Sequence, residues 1–302
     1  MAIGSGTGVE RSASPAGGVL TRGRYGKAPR SRTRHTEPTV SVIVGGAPPG
    51  TALEQQEDPV QVDGAVVVIT GASSGIGAAT ARAAAGAGAR VALLARRRDR
   101  IDALAQELGS VGGEALAVRC DVTDQAQVHA ALQQVVSTFG RIDVVVNNAG
   151  QGLQATVEQV DLADARAVFE LNVLAPLAVM QAAAPLLRAT GGGSIVNISS
   201  GTTLAAAPGT GSYAASKAAL EKLSAIARAE LAPDAITVSC VLPFATATEF
   251  MTSIRAGREA AEEMTAGAQF DPPERVAEAV LDIVRSGAEQ VDLVPRAYGG
   301  SA

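Results

Sequence analysis

Tyr213 and Lys217 stand four residues apart, and Ser200 precedes Tyr213 by thirteen. On a helix, a spacing of four puts both side chains on one face. A tyrosine hydroxyl normally ionises near pH 10, too high for easy proton exchange at neutrality. A nearby ammonium favours the phenolate and is expected to lower that value. A tyrosine placed this way can give a proton to the alkoxide formed when a hydride reaches a ketone. Ser200, at the end of an expected strand, can hydrogen-bond the substrate oxygen. Ser199 is assigned instead to bonding the neighbouring backbone. A serine-hydrolase chemistry lacks its base. His35 and His129 are the only histidines, one in an irregular tail and one on a polar helix, so neither a triad nor a histidine-bound metal is expected.

A second group of residues suits phosphates. Gly71-Ala72-Ser73-Ser74-Gly75-Ile76-Gly77 joins an expected first strand to an expected first helix. Gly71 permits a tight turn. Gly75 and Gly77 allow close approach to the backbone, and the helix start offers free N–H groups to a pyrophosphate. The spacing is G-x-x-x-G-x-G, distinct from the commoner G-x-G-x-x-G.

These residues need a scaffold, and the pattern supplies one. Strands are expected at 65–70, 90–95, 115–120, 142–147, 194–199, 235–242 and 291–294. Helices are expected at 77–88, 98–108, 124–139, 162–190, 213–231 and 273–286. Such alternation predicts a doubly wound, Rossmann-type α/β fold with a parallel sheet of about seven strands flanked by helices. Aliphatic residues dominate the composition and Trp is absent, which suits buried Val-rich strands. Cys120 and Cys240 are expected as separate buried thiols.

Residues 1–36 hold seven bases and one acid, which leaves the remaining 266 residues with a net charge of −11. An acidic body argues against nucleic-acid binding. Residues 1–62, rich in Gly, Ser and Pro, are expected to be a disordered basic extension, and 63–302 a single domain. A dispensable tail and a start codon placed too far upstream are favoured over a transit peptide. Removing residues 1–60 is expected to leave fold and activity unchanged. The stretch Val173–Leu187 is apolar, but Pro176 and Pro185 interrupt it, so no membrane span is expected and the protein is read as cytoplasmic.

Taken in order, the motifs resemble the short-chain dehydrogenase/reductases, in their short single-domain branch. Thr70–Gly77 matches that family's T-G-x-x-x-G-x-G turn, Asn147-Asn148-Ala149-Gly150 its N-N-A-G, and Tyr213-Ala-Ala-Ser-Lys217 its Y-x-x-x-K. Asn172 and Ser200 fall at the family's helix asparagine and serine. The resemblance spans roughly 64–295. It implies a catalytic set of Asn172, Ser200, Tyr213 and Lys217, with Asn172 ordering a water that links to Lys217. It implies cofactor contacts from Gly71, Ser73, Ser74, Gly75, Ile76, Gly77, Arg96, Asp121, Val122, Asn148, Ala149, Gly150, Tyr213 and Lys217. It departs at Pro243-Phe244, where the family usually has Pro-Gly, so a bulky ring is expected beside the nicotinamide site.

No acid stands near Ala95 to bond a ribose 2′-hydroxyl, whereas Arg96 follows and can pair with a 2′-phosphate. NADP(H) is therefore expected over NAD(H), with Ser74 assisting and Arg97 or Arg98 as a solvated helix start. The resemblance gives Asp121 the adenine amino group, though Asp121 and Asp124 are each placed to cap the next helix. Residues 246–272 are expected to form a lid, with Phe250, Met251, Ile254, Met264 and Phe270 lining an apolar pocket or packing the lid down. The expected partners are a small, apolar carbonyl or alcohol and further copies of the chain, as a homodimer or homotetramer. A turnover-silent cofactor-binding regulator and an epimerase or dehydratase of the longer branch are the other classes. The first is disfavoured by the intact Ser200, Tyr213, Lys217 and Asn172. The second is disfavoured by the turn spacing and by the short stretch of some 50 residues after Thr248.

Overall fold

Five successive β-branched residues, Val66–Thr70, form strand β1, and all five are buried. A strand covered on both faces has no polar side, so it reads as an unbroken apolar run. The computed structural model describes residues 60–302. After β1 come α1 (Gly75–Gly86), β2 (Arg90–Ala95), α2 (Arg98–Ser110), β3 (Ala115–Arg119), α3 (Gln125–Phe139) and β4 (Val144–Asn147). Next are α4 (Leu162–Phe169), a π-helical turn (Glu170–Leu174), α5 (Ala175–Ala189), β5 (Gly193–Ile198), α6 (Gly211–Leu231) and β6 (Ile236–Leu242). The chain continues through α7 (Arg258–Met264), α8 (Pro273–Ser286) and β7 (Gln290–Asp292).

The seven strands form one sheet in the order β3-β2-β1-β4-β5-β6-β7, and every pairing is parallel. The expected doubly wound α/β fold is therefore the observed one. Its core lies in two layers. Val67, Ile69, Leu93 and Val146 face α1, α2 and α8 on one side. Val66, Val68, Leu94 and Val145 face α3 and α5 on the other. The winding reverses between β1 and β4, which opens a crevice at their carboxyl ends.

Several expectations change. Val62, inside the expected extension, is buried, and Val60 packs against the same core. A cut after residue 60 therefore removes part of the packing; the remainder of that extension lies outside the described residues. The two prolines do not stop the long helix: Pro176 lies in the first turn of α5 and Pro185 inside it. Leu162–Ala189 is in consequence long and apolar enough to cross a membrane by length and composition, yet half of its most apolar window is buried within the fold. Cys240 lies within β6, and both cysteines are free and buried, as expected.

Candidate active site

The turn after β1 is shaped by close packing. Gly71 has φ +67°, and a Cβ there would meet Ala149 Cα at 2.9 Å. Gly75, at φ +54°, lies against the Thr248 side chain, 3.0 Å from where its Cβ would stand. Ser74 precedes α1 but makes no capping bond, and the first turn holds no acid. The N–H groups opening α1 thus lack a side-chain acceptor. That is the donor set a dinucleotide's pyrophosphate requires, so the turn fits such a cofactor.

Asn148 serves this turn from β4. Its Nδ2 donates to Thr70 O at 2.9 Å, and its N–H donates to Thr70 Oγ1 at 3.0 Å. Ala149 N–H donates to the same hydroxyl at 3.1 Å. Thr70 thus ties the N-N-A-G segment to the glycine turn, a part that lay inside the motif but was not assigned to it from the sequence.

The basic end of β2 differs from expectation. Arg97, one of two arginines offered by the sequence as a solvated helix start, donates from Nε and Nη2 to Ser73 Oγ at 3.0 and 2.8 Å, and from Nη2 to Ser74 Oγ at 2.7 Å. Arg96 is exposed and is free of hydrogen bonds and ion pairs among the described residues. Of the two carboxylates beyond β3, Asp124 caps α3 by accepting from Ala126 and Gln127 N–H. Asp121 accepts from Thr123 N–H and Oγ1 in a tight turn, beside the buried Val122. The capping question left open by the sequence is settled for Asp124.

At the other end, β5, α6 and the π-helical turn converge. Lys217 is buried and donates from Nζ to Ile198 O at 2.8 Å. Burial pulls its ammonium down to about 8, against opposing pulls from Cys240 and Glu221. The Tyr213 hydroxyl lies beside the Ser200 side chain and is shielded from water, and this loss of water pushes it up to about 12. The lowering expected from Lys217 is not seen, because loss of water outweighs the pull of the neighbouring Ser200 side chain. Ser200 Oγ also accepts from Thr202 N–H at 3.2 Å. Ser199 does not simply bond backbone: its hydroxyl donates to Glu221.

Asn172 is fully buried in the π-helical turn, where Ala175 N–H reaches back to Glu170 O. Its Oδ1 accepts from Gln151 N–H at 2.9 Å, and its Nδ2 donates to Gln151 O and Ser216 Oγ. A Cβ on Gly150 would stand 3.2 Å from Asn172 Oδ1 and 3.3 Å from Lys217 Nζ. Gly150 therefore brings the asparagine, the lysine and the loop after β4 together. Such a π turn often marks a functional site, and nothing in the helical periodicity announced it.

The segment after β6 covers this end. Phe250 lies on Tyr213 with ring centroids 5.7 Å apart and also packs on Gly152, as Ile254 does. Asp271 N–H donates to Ala245 O and Ala247 N–H to Asp271 O, so the two ends of the segment are joined. Met264 is half exposed on α7, a helix not expected from the sequence. Phe244, the ring in place of glycine, packs on Tyr298 near the chain's end at 4.8 Å between centroids.

Comparison with known proteins agrees with this geometry. Residues 65–259 match the family model for short chain dehydrogenases. D-threitol dehydrogenase of Mycolicibacterium smegmatis is 32% identical over 234 residues, 77% of this chain and 90% of that protein. A 3-oxoacyl-[acyl-carrier-protein] reductase of Synechocystis is 34% identical over 213 residues, 70% and 85% of the two chains. Among solved structures, a short chain dehydrogenase/reductase from Burkholderia phymatum in complex with NAD superposes with a TM-score of 0.74 at 25% identity, covering 78% of this chain and 91% of that one.

Proposed function

The chain belongs to the short chain dehydrogenase family, and from that premise we propose that it is an NADP(H)-dependent oxidoreductase that interconverts a carbonyl and an alcohol, with Tyr213 as the acid and base. One arrangement carries the reading: Tyr213 beside Ser200 and, four residues on, Lys217 buried against the strand that ends beside Ser200.

Gly71, Ser73, Ser74, Gly75, Ile76 and Gly77 would hold the pyrophosphate of the cofactor and Asp121 its adenine, with Val122, Asn148, Ala149 and Gly150 as further contacts. The bound nicotinamide supplies or accepts the hydride. Ser200 holds the substrate oxygen by its hydroxyl. Tyr213 gives that oxygen a proton in reduction and takes one in oxidation. Held up at about 12, the Tyr213 hydroxyl carries its proton at neutral pH, and gives it up readily only where a neighbouring charge favours the phenolate. Lys217, half-neutral near pH 8 by burial, regains its charge most readily where anion develops beside it. Asn172, fixed to Gln151 and Ser216, holds the loop over Lys217 in place, and a water relay to Lys217 belongs to the same reading. The preference for NADP(H) is supported by Ala95 in place of an acid, by the exposed Arg96 that follows it, and by Arg97 bonded to the turn serines. Phe250 over Tyr213, with Ile254 beside it on Gly152, favours an apolar substrate.

The test is Tyr213→Phe, assayed with NADPH on a panel of ketones and aldehydes. Turnover should fall by roughly 10²–10⁴, while NADPH binding, followed by nicotinamide fluorescence, stays as in the parent. Parent-level turnover on a true substrate would overturn the assignment.

A further inference from the structure

Glu249 lies 152 residues from Arg97 in sequence and next to it in space. Its Oε2 accepts from Arg97 Nη1 at 2.9 Å and its Oε1 from Arg100 Nη1 at 2.6 Å. The same Arg97 guanidinium spends its other edge on the Ser73 and Ser74 hydroxyls. One cation is thus shared between the phosphate turn and the first residues of the covering segment, one position beyond Thr248, which packs on Gly75. The two arginines hold the Glu249 carboxyl below the usual carboxylate range, so it is an anion at neutral pH. All three side chains remain 44–47% exposed, so a ligand arriving from solvent can reach them.

We propose that Glu249 is an internal competitor of the cofactor's 2′-phosphate for Arg97 and Arg100, and thereby sets how strongly the site prefers the phosphorylated dinucleotide. The proposal rests on the NADP(H) reading above. A phosphate monoester carries between one and a half and two negative charges and three acceptor oxygens, more than a carboxylate offers a guanidinium fork. The fork at Arg97 cannot face both, and two anions held on one cation repel. Binding of a 2′-phosphate therefore frees Glu249 and loosens the start of the covering segment. A dinucleotide without that phosphate leaves the clasp shut.

The experiment titrates the full-length parent, Glu249→Gln and Arg97→Ala with adenosine 2′,5′-bisphosphate and with 5′-AMP by calorimetry. The amide keeps the shape and removes the charge, and circular dichroism checks that each variant folds. Glu249→Gln should bind the bisphosphate roughly two- to tenfold more tightly, the range for losing competing exposed ion pairs, with 5′-AMP unchanged. Arg97→Ala should weaken the bisphosphate alone. Equal shifts for both nucleotides, no shift, or weaker bisphosphate binding in Glu249→Gln would overturn the competition. A parent that does not favour the bisphosphate, beside a Glu249→Gln variant that does, would overturn the NADP(H) reading for the parent and leave the competition standing.

Discussion

The two ends of the crevice are built in opposite ways. At the catalytic end the chemistry is buried: Lys217 and Asn172 are enclosed, each held to backbone oxygens, and their partners come from β5, α6 and the loop after β4. At the phosphate end the charged groups are half exposed and are gathered from the turn, the start of α2 and the segment after β6. Burial at the first end fixes geometry and shifts proton affinities. Exposure at the second leaves ion pairs that a ligand can exchange for its own. Rate should therefore live at one end and cofactor choice at the other.

That division can be attacked at several points. Ser200→Ala should cost roughly 10²–10³ in turnover, the range for losing one donor to a developing oxyanion, with NADPH affinity untouched. Steady-state kinetics with a binding titration measures both, and a parallel loss of affinity would join the two ends. Arg96→Ala and Arg97→Ala should each weaken NADPH by roughly 10- to 150-fold, the loss of a charge-assisted bond to phosphate. NADH affinity and saturated turnover should barely move. Equal losses for both cofactors would give the arginines a general structural role.

The smallest effect is on stability. Burial lowers Lys217 to about 8 from an ordinary value near 10.5. Between these values the unfolded chain holds a proton that the folded chain has released, so stability should rise with pH across that window. The raised Tyr213 acts in the opposite direction only above pH 10. Urea unfolding at pH 7.5 and 9.5 should show the parent gaining about 2 kcal/mol relative to Lys217→Met, since the raised Cys120 and Cys240 thiols pull the other way in both proteins. Identical slopes in the two proteins would mean that Lys217 is better solvated than its packing implies.

The same contrast explains what could be read from the sequence. Tyr213 and Lys217 lie on one helix, and a spacing of four residues suffices to place them together. β1 and its turn are local in the same way, and so is the alternation of strands and helices along the chain. The arginines are a different case. Arg96, Arg97 and Arg98 are adjacent, and which one meets the turn depends on the backbone at the end of β2, where Arg97 has φ −81° and ψ 86°. Glu249 has no local signal at all, since its partners are set by how the covering segment folds back. Phe244 could be seen to depart from glycine, but its contact with Tyr298 joins residues more than fifty positions apart.

The π-helical turn at Glu170–Leu174 has a further consequence for how this chain tolerates change. It amounts to a helix with one residue more than its length requires. Deleting a residue there would restore regular α-helical bonding and, on local grounds, improve the helix. It would also rotate everything on one side by about 100° relative to the other, carrying Asn172 away from Gln151 and Ser216. Over evolutionary time, shortening at this point is a local repair that dismantles the site, so the helix should accept substitutions on its outer face far more readily than any change in its length.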